Sequence, residues 1–503
     1  MQNDLSKALN LFQNGRLEEA KNICLEVLKK NNYNSQALNL NAFILYYQKN
    51  FEEAIEHWKK AININPNYIE AHNGCGNAYK NLKKLDKAVE SFTKALLIEP
   101  RYSEAYMNLA NVLIKLEKFE EAIENFDKVL EIKNDYSEAF QGKAFSLMKL
   151  KKYDDAILNF NQSIRVNPND ANAFYNLGAT YENLEKWQQA ANCFSKAMKL
   201  DPKHSKSFKG LLHLLEFYKP EQESDNFVIK TNNLLKFNNI DINLKNKISD
   251  EAVINYYSKI SKILDNNFYD HFINDKSQIF RDNAKDLNCE RHFEVFNTYN
   301  VIPKFCFECY KIQIDLKNVL GLFKLYLVFD KIKLEKNNIR KCMIEMRDKV
   351  SGNYKGLIYC SGLGEAQKIE NFLNPILKKT IGEDLSIFIK RGCTEFSVSY
   401  PRYKEVNESM KYNNDWKEKE KLIDDKLEKK NKYKKKIIKE TLEGISINDA
   451  LIMKNWLFFA KSINDESYKK FNIKITKSEY LQNKLTGQIN HRKNEFRKFN
   501  SLI

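Results

Sequence analysis

The residues best suited to chemistry are four cysteines in one stretch of the C-terminal half. Cys306 and Cys309 have the spacing of a ligand pair, and Cys342 and Cys360 follow in the same predicted domain. Thiolates so spaced can bind zinc or an iron–sulfur centre, or take part in thiol redox chemistry. Because no second close pair accompanies the first, the motif alone does not specify a metal site.

The predicted strands argue against one shared cysteine site. Cys309 falls on the strand face of Lys311 and Gln313, which we expect to be exposed. Cys342 shares a strand face with Ile344 and Met346, which predicts a buried side chain. Thiols on opposite faces of a sheet do not easily share one ion. A metal or redox site and a set of small buried thiols both stay open, and the pattern favours the buried thiols.

Other signatures of catalysis are missing from the sequence. It has no glycine-rich phosphate loop with a lysine, no HExxH motif and no GxSxG motif. We therefore expect no catalytic residues and no cofactor. A metal-binding or thiol-redox enzyme or sensor built on the cysteines is the alternative function.

A second set of side chains, rich in asparagine, could bind a peptide rather than transform one. Asparagine carries a donor and an acceptor, so a row of such residues can hold an extended backbone whatever its side chains. The predicted peptide-binding residues are Asn73, Asn77, Lys80, Asn108, Asn111, Lys115, Tyr175 and Asn176.

These residues belong to six copies of one 34-residue pattern, which together fill residues 1–204. Position 8 of the pattern is small, position 20 is alanine in every copy, and position 24 is aromatic in all copies but the first. A unit of two helices cannot bury its apolar face alone, so successive copies must stack into an α-solenoid. The position-20 alanines are Ala20, Ala54, Ala88, Ala122, Ala156 and Ala190.

The copies resemble tetratricopeptide repeats (TPRs). The clearest copy, residues 171–204, has the residues typical of that repeat at Tyr181, Ala190, Phe194 and Pro202. The stretches AYMNLANVL and AFYNLGATY are also similar to the asparagine-bearing repeats of O-GlcNAc transferases, a resemblance limited to the repeats. It implies a concave surface lined by the first helix of each pair, which binds an extended peptide or a partner's tail.

The rest of the chain predicts an α+β domain with helical appendages. Residues 205–219 are expected to cap the solenoid, and 220–304 to form a mostly helical connector. Residues 305–403 follow the order β-α-β-β-α-β, which is the ferredoxin-like arrangement. Residues 404–503 are predicted to form a basic helical segment, and no characterised family is recognised in 227–503.

The positive charge is concentrated in this second part. Residues 1–204 hold 27 of the 82 basic and 26 of the 66 acidic residues, leaving 55 and 40 for the remainder. A basic four-stranded sheet can bind single-stranded RNA by stacking bases on aromatic side chains. The first predicted strand shows Lys311 and Gln313 instead of aromatics, so nucleic acid is the less favoured partner.

The start of the chain and its apolar runs predict a soluble protein. MQNDLSKALN lacks the cationic start and apolar run of a signal peptide, and the apolar run 319–329 is interrupted by Lys324. Nine cysteines without a disulfide pattern indicate reduced thiols. We therefore expect a cytoplasmic scaffold or adaptor with a protein or peptide partner and no membrane contact.

Overall fold

The computed structural model divides the chain into two compact units, Met1–Ser207 and Phe208–Ile503. Within the described residues, every helix is too short or too polar to traverse a lipid bilayer. The structure describes residues 2–220, 225–267, 276–281, 289–347, 350–392, 396, 400, 412–429, 440–475 and 478–501.

The first unit is a stack of helices that alternate along the chain. Each odd-numbered helix packs on the next even-numbered one, and α3, α5, α7, α9 and α11 also contact one another in series. The helices are α1 (Gln2–Gln13), α2 (Leu17–Lys30), α3 (Ser35–Tyr47), α4 (Phe51–Ile64), α5 (Ile69–Asn81), α6 (Leu85–Ile98), α7 (Ser103–Lys115), α8 (Phe119–Ile132), α9 (Ser137–Lys149), α10 (Tyr153–Val166), α11 (Ala171–Asn183) and α12 (Trp187–Leu200).

Aromatic side chains at position 24 form the interior of this solenoid. Trp58, Phe92, Phe126, Phe160 and Phe194 are fully buried, as are the position-20 alanines beside them. The close approach of helices that the pattern predicted is therefore present in the structure.

Glycines make room for these rings in two ways. A Cβ at Gly76, at position 8, would lie 2.5 Å from the Phe92 ring of its own copy. A Cβ at Gly142, at position 6, would lie 2.2 Å from the Phe126 ring of the preceding copy. Both separations are far below van der Waals contact, so only glycine fits under the ring at these two sites.

The second unit combines helices with one sheet. Its elements, starting with the helix that spans the boundary between the units, are α13 (Ser205–Phe217), α14 (Phe227–Phe237), α15 (Asp250–Asn267), β1 (Gln278–Arg281), α16 (Cys289–Tyr299), α17 (Lys304–Glu308), β2 (Tyr310–Leu316), α18 (Val319–Lys331), β3 (Arg340–Ile344), β4 (Tyr354–Cys360), α19 (Leu363–Thr380), β5 (Leu385–Arg391), α20 (Asn414–Lys429), α21 (Ile447–Ser462), a 3₁₀ helix (Glu466–Phe471), α22 (Glu479–Leu485) and α23 (Ile489–Ser501).

The five strands are antiparallel in the order β1-β3-β4-β2-β5. One face of the sheet packs against α18, where a Cβ at Gly356 would lie 2.3 Å from Leu325. The ring of Tyr354 reaches Phe459 of α21 on the same face. The opposite face carries Lys311, which is paired across the strands with Tyr359 and Lys390.

The connector predicted at 220–304 as mostly helical also contains a strand, β1, at 278–281. One prediction for the second unit was wrong. Lys311 and Gln313 were expected to be exposed, but each is only 6% exposed. Long aliphatic stems can lie along a sheet and be covered there, so a polar alternation does not guarantee a solvent-facing strand.

Helix α19 is continuous although it contains Pro375, and strand β5 ends at Arg391. Of the residues beyond β5, 393–395 and 397–399 lie outside the described part of the chain, as does 430–439 of the predicted basic helical segment.

Candidate functional site

The predicted groove residues lie on three of the odd-numbered helices that contact one another in series. Asn73, Asn77 and Lys80 belong to α5, and Asn108, Asn111 and Lys115 belong to α7. Tyr175 and Asn176 belong to α11, two copies further along the stack. The contacts α5–α7, α7–α9 and α9–α11 make these helices one continuous layer. We call the surface of these eight side chains the asparagine groove.

An amide network joins α5 to α7 within the groove. The Asn73 Nδ2 donates to Glu104 Oε1 at 2.9 Å and to the Tyr102 hydroxyl at 3.3 Å. The Asn108 Nδ2 donates to Asn73 Oδ1 at 3.2 Å. Asn73 is only 4% exposed. Its amide therefore holds the two copies together, whereas Asn108 is half-buried and Glu104 is exposed.

Lys80 completes the network from the other side. Its Nζ donates to Asn77 Oδ1 at 2.8 Å and to Asn108 Oδ1 at 3.3 Å. Burial lowers the pKa of the Lys80 amine, and the nearby Lys115 lowers it further, while Glu104 opposes them. Lys80 therefore lies within the electrostatic influence of a second cation, Lys115, and of the Glu104 carboxylate.

Some amides of the groove are not engaged by the protein itself. Within the described residues no hydrogen bond occupies the side chains of Asn111 and Asn176, which are both half-buried. An Asn with free donor and acceptor atoms can meet both groups of a peptide unit. These two residues are the groove amides best placed to receive a ligand; Asn77, at the same repeat position as Asn111, is already bonded to Lys80.

The C-terminal end of the groove is aromatic. The Tyr175 ring lies 5.9 Å from Phe194 and 5.7 Å from His204, and Lys206 lies over the Tyr175 ring at 5.9 Å. His204 Nε2 lies 3.2 Å from Asn172 Oδ1, and burial lowers the pKa of the imidazole. A neutral imidazole here leaves Lys206 as the cation beside the ring.

One polar contact of the groove was not predicted from the sequence. Asn81 Nδ2 donates to the Tyr46 hydroxyl at 2.8 Å, and so ties α5 to α3 as Asn108 ties α7 to α5. Tyr46 is in turn packed edge-on against Phe51 at 5.4 Å. Asn81 is the last residue of its helix, a place where asparagine usually only ends the helix, so its sequence context gave little signal.

The structure does not gather the four candidate metal-binding cysteines into one site. Tyr310 pairs with Cys360, so Cys309, the residue before the strand, lies near Cys360; burial raises the pKa of the Cys360 thiol, and Glu365 and Cys309 raise it further. Cys342 pairs with Gly356, which puts it about 13 Å along the strand from Cys360. Cys306 packs in α17 against Phe396 and Ile302. Among the described residues, no three His, Cys, Asp or Glu side chains could hold a metal ion.

These positions lead to a prediction about metal content. Protein purified without chelator is expected to contain less than about half an equivalent of zinc or iron by elemental analysis. Exchange into a chelating buffer should leave its melting temperature unchanged. A full equivalent of either metal, lost in the Cys306→Ser and Cys309→Ser variants, would contradict the prediction and favour the enzyme or sensor.

Comparison with known proteins identifies the repeats. A family model described as TPR repeat matches residues 44–83 and 144–185, and one described as tetratricopeptide repeat matches 69–102, 103–136 and 171–204. A search of curated protein sequences finds no significant match.

Solved structures that align with the chain are helical-repeat proteins. YrrB, described as a TPR protein with an unusual peptide-binding site, is 25% identical over 37% of this chain and 96% of its own, with a TM-score of 0.34. MamA from Desulfovibrio magneticus is 19% identical over 34% of this chain and 96% of its own, with a TM-score of 0.33. PilF of Pseudomonas aeruginosa is 19% identical over 41% of this chain and 95% of its own, with a TM-score of 0.38. The N-terminal solenoid of this chain is therefore of the tetratricopeptide type, a repeat that generally mediates binding to protein or peptide partners.

Proposed function

We propose that the chain is a scaffold or adaptor whose asparagine groove binds an extended peptide or the tail of a partner protein. The observation that supports this most directly is the row of amides on α5, α7 and α11, of which Asn111 and Asn176 have no partner within the described chain. Backbone groups of a peptide are the ligands that such amides match regardless of side chain.

The network behind the row would keep the site in its binding geometry. Asn73 and Lys80 hold Asn108 from two sides, so little side-chain freedom is lost when a ligand arrives. The cations Lys80 and Lys115 favour a ligand segment that carries a carboxylate near α5 and α7. The ligand is expected to lie across several copies, since Tyr175 and Asn176 stand two copies from Asn111.

Alanine substitution of two amides tests the groove. The Asn108→Ala, Asn111→Ala double variant should bind a partner peptide more weakly by about 1–3 kcal/mol, the loss expected for two hydrogen bonds. A partner is first captured with the full-length chain as bait, its binding segment is mapped, and the affinity is measured by titration calorimetry. The melting temperature should fall modestly, because Asn108→Ala removes the hydrogen bonds that Asn108 forms with Asn73 and Lys80.

Single substitutions separate ligand contact from internal support. Asn111→Ala removes an amide without an internal partner, so it should weaken binding without altering the melting temperature. Asn108→Ala also removes the hydrogen bonds that Asn108 forms with Asn73 and Lys80, so it should lower both the affinity and the melting temperature. Asn125→Ala, which removes an exposed amide bonded only to Glu121 O, serves as the matched control. An affinity for the captured segment that is equal in all three variants and the wild type would rule out the groove.

We further propose that the sheet of the second unit is ferredoxin-like and that all six copies of the repeat are TPR pairs. The order β3-β4-β2-β5, with α18 and α19 as the two crossover helices, supports the first proposal, with β1 as an added edge strand. The uniform alternation of α1 to α12 supports the second. A cytoplasmic location remains part of this proposal.

A further inference from the structure

A cluster of cations lies on the sheet face opposite α18. Lys311 of β2 is the cross-strand partner of Lys390 of β5 and of Tyr359 of β4. Directly opposed residues on one face have Cβ atoms about 5 Å apart, and like charges in that relation destabilise a sheet. Lys355 of β4 lies further along the same face, opposite Asp315.

Two acidic side chains of the described residues, Glu345 and Asp315, lie beside these cations. Glu345 is fully buried and accepts from Lys355 Nζ at 2.9 Å and from Arg347 Nε at 2.8 Å. Its carboxylate is therefore shared by two cations. Asp315 accepts from Gln313 at 2.7 Å, and burial raises the pKa of this carboxyl, which weakens it as a counter-charge.

Lys390 has no counter-ion among the described residues. Within the part of the chain that the structure describes, it forms neither a hydrogen bond nor an ion pair. Burial lowers the pKa of its amine to about 8, with further lowering by Lys311, Lys355 and Arg347 and an opposing effect of Asp315. Lys390 is therefore both partly buried and close to the other cations of the cluster.

The cluster can be reached from the sheet edge. Lys311 and Lys355 are recessed, with exposures of 6% and 2%, whereas Lys390 is half-buried on β5 at the edge of the sheet. Phe388, two residues before Lys390 on the same face, is 40% exposed. A ligand approaching over β5 would meet an exposed ring first and the cations behind it.

We propose that this cluster is an anion site that takes a phosphate group, with Lys390 as the direct contact and Lys311 behind it. A phosphate monoester carries roughly −1.5 to −2 charge, which suits two opposed lysines better than the single charge of a carboxylate. Lysine binds phosphate as a point charge and needs no fixed geometry. An aromatic group attached to that phosphate could pack on Phe388. The site lies in the unit Phe208–Ile503, so it does not depend on the asparagine groove.

Equilibrium dialysis of the full chain tests the site with inorganic phosphate and pyrophosphate as probes. Lys390→Gln should weaken binding by at least about tenfold, because it removes the contacting charge. Lys379→Gln, which removes an exposed lysine of α19, should leave binding unchanged. Equal affinities in wild type and Lys390→Gln, or no binding of either probe, would overturn the proposal.

Competitive acetylation gives a second readout that does not rely on the variant. At about pH 8 the Lys390 amine is partly neutral, so it should react faster with acetic anhydride than Lys379. Bound phosphate should slow that reaction at Lys390 alone. An equal rate with and without phosphate would contradict the site.

Two more probes in the same dialysis show whether the phosphate group belongs to a small nucleotide or to a nucleic-acid strand. Adenosine monophosphate that binds more tightly than inorganic phosphate would support a small nucleotide stacked on Phe388. A short single-stranded oligouridine that binds more tightly than the mononucleotide would support the end or backbone of a strand. Failure of Lys390→Gln to weaken whichever of them binds would exclude the cluster as the site.

Discussion

The Arg281→Met variant is expected to lose about 3–5 kcal/mol of the free energy of unfolding of the second unit, the range for breaking a buried ion pair from one side. Arg281 Nε donates to Asp330 at 2.6 Å, and its guanidinium donates to Asp449 at 2.8 Å and to the Tyr326 hydroxyl. The three charged side chains are 6%, 3% and 6% exposed. Methionine would fill the space and leave two buried carboxylates without their cation.

The same contacts give this stability a pH dependence. Burial alone raises the pKa of the Asp449 carboxyl, but Arg281 and the Ser446 donors lower it below its usual value. A carboxyl whose pKa is lower in the folded state stabilises the fold above its unfolded pKa of about 3.9, and loses that contribution as the pH falls through the folded value. Arg281→Met should therefore remove the Asp449 part of the stability that the wild type gains as the pH rises through this range, and leave the part that comes from Glu345, where burial raises the pKa of the carboxyl but Arg347 and Lys355 lower it to about 2.

Urea denaturation of the full chain, followed by fluorescence and far-ultraviolet circular dichroism, measures the loss. Trp456 is a suitable reporter because it packs 5.7 Å from Phe323 in the same unit. Arg497→Met, on the exposed side of α23, is the matched control and should change stability by less than about 0.5 kcal/mol. Adding Asp449→Asn to Arg281→Met should recover part of the loss. A loss below about 1 kcal/mol would mean that the carboxylates find other partners.

The repeat frame made the first unit predictable because its signal is periodic. Position 20 and position 24 recur every 34 residues, and the packing of one copy is repeated in the next. The frame also predicts which helix faces the groove. It does not predict that Asn108 is held by Lys80 and Asn73, because these partners lie 28 and 35 residues away and depend on how adjacent copies stack.

Strand β1 of the second unit could not be predicted from the sequence pattern. Strand β1 is four residues long, too short for an alternation to stand out. It is held by pairing with β3 and by the ion pairs of Arg281 to Asp330 and Asp449, which are 49 and 168 residues away. Contacts at such separations depend on tertiary packing, so the strand could not be separated from its helical surroundings by composition.

The burial of the polar sheet face has a related cause. Lys311 and Gln313 alternate with isoleucines, a pattern typical of a strand with one solvent-exposed face. Tyr359, Phe280 and Phe388 share that face through strands that are distant in sequence. Aromatic rings therefore accompany the lysines, although the first strand alone shows none. The amine of Lys311 lies 4.9 Å from the Tyr359 ring, which no single strand could reveal.

Phe126→Ala in the middle of the solenoid is expected to cost about 3–5 kcal/mol, as for other aromatic side chains removed from a core. Phe126 is fully buried in a cluster with Ala110, Leu113 and Ala139. Each copy is stabilised mainly by its neighbours, so the loss should weaken both interfaces of the fourth copy and separate the ends of the stack. Urea denaturation measures the loss, and Leu97→Ala, at a side chain that is 77% exposed, is the control.

A second substitution identifies the ring itself as the cause. Gly142→Ala alone should destabilise the stack, because its Cβ would lie 2.2 Å from the Phe126 ring. In the Phe126→Ala background that ring is gone, so Gly142→Ala should become neutral or gain up to about 1 kcal/mol from the better helix propensity of alanine. The two substitutions are therefore expected to be strongly non-additive. If their costs simply added, Gly142 would be required for its backbone and not for the space it leaves beneath Phe126.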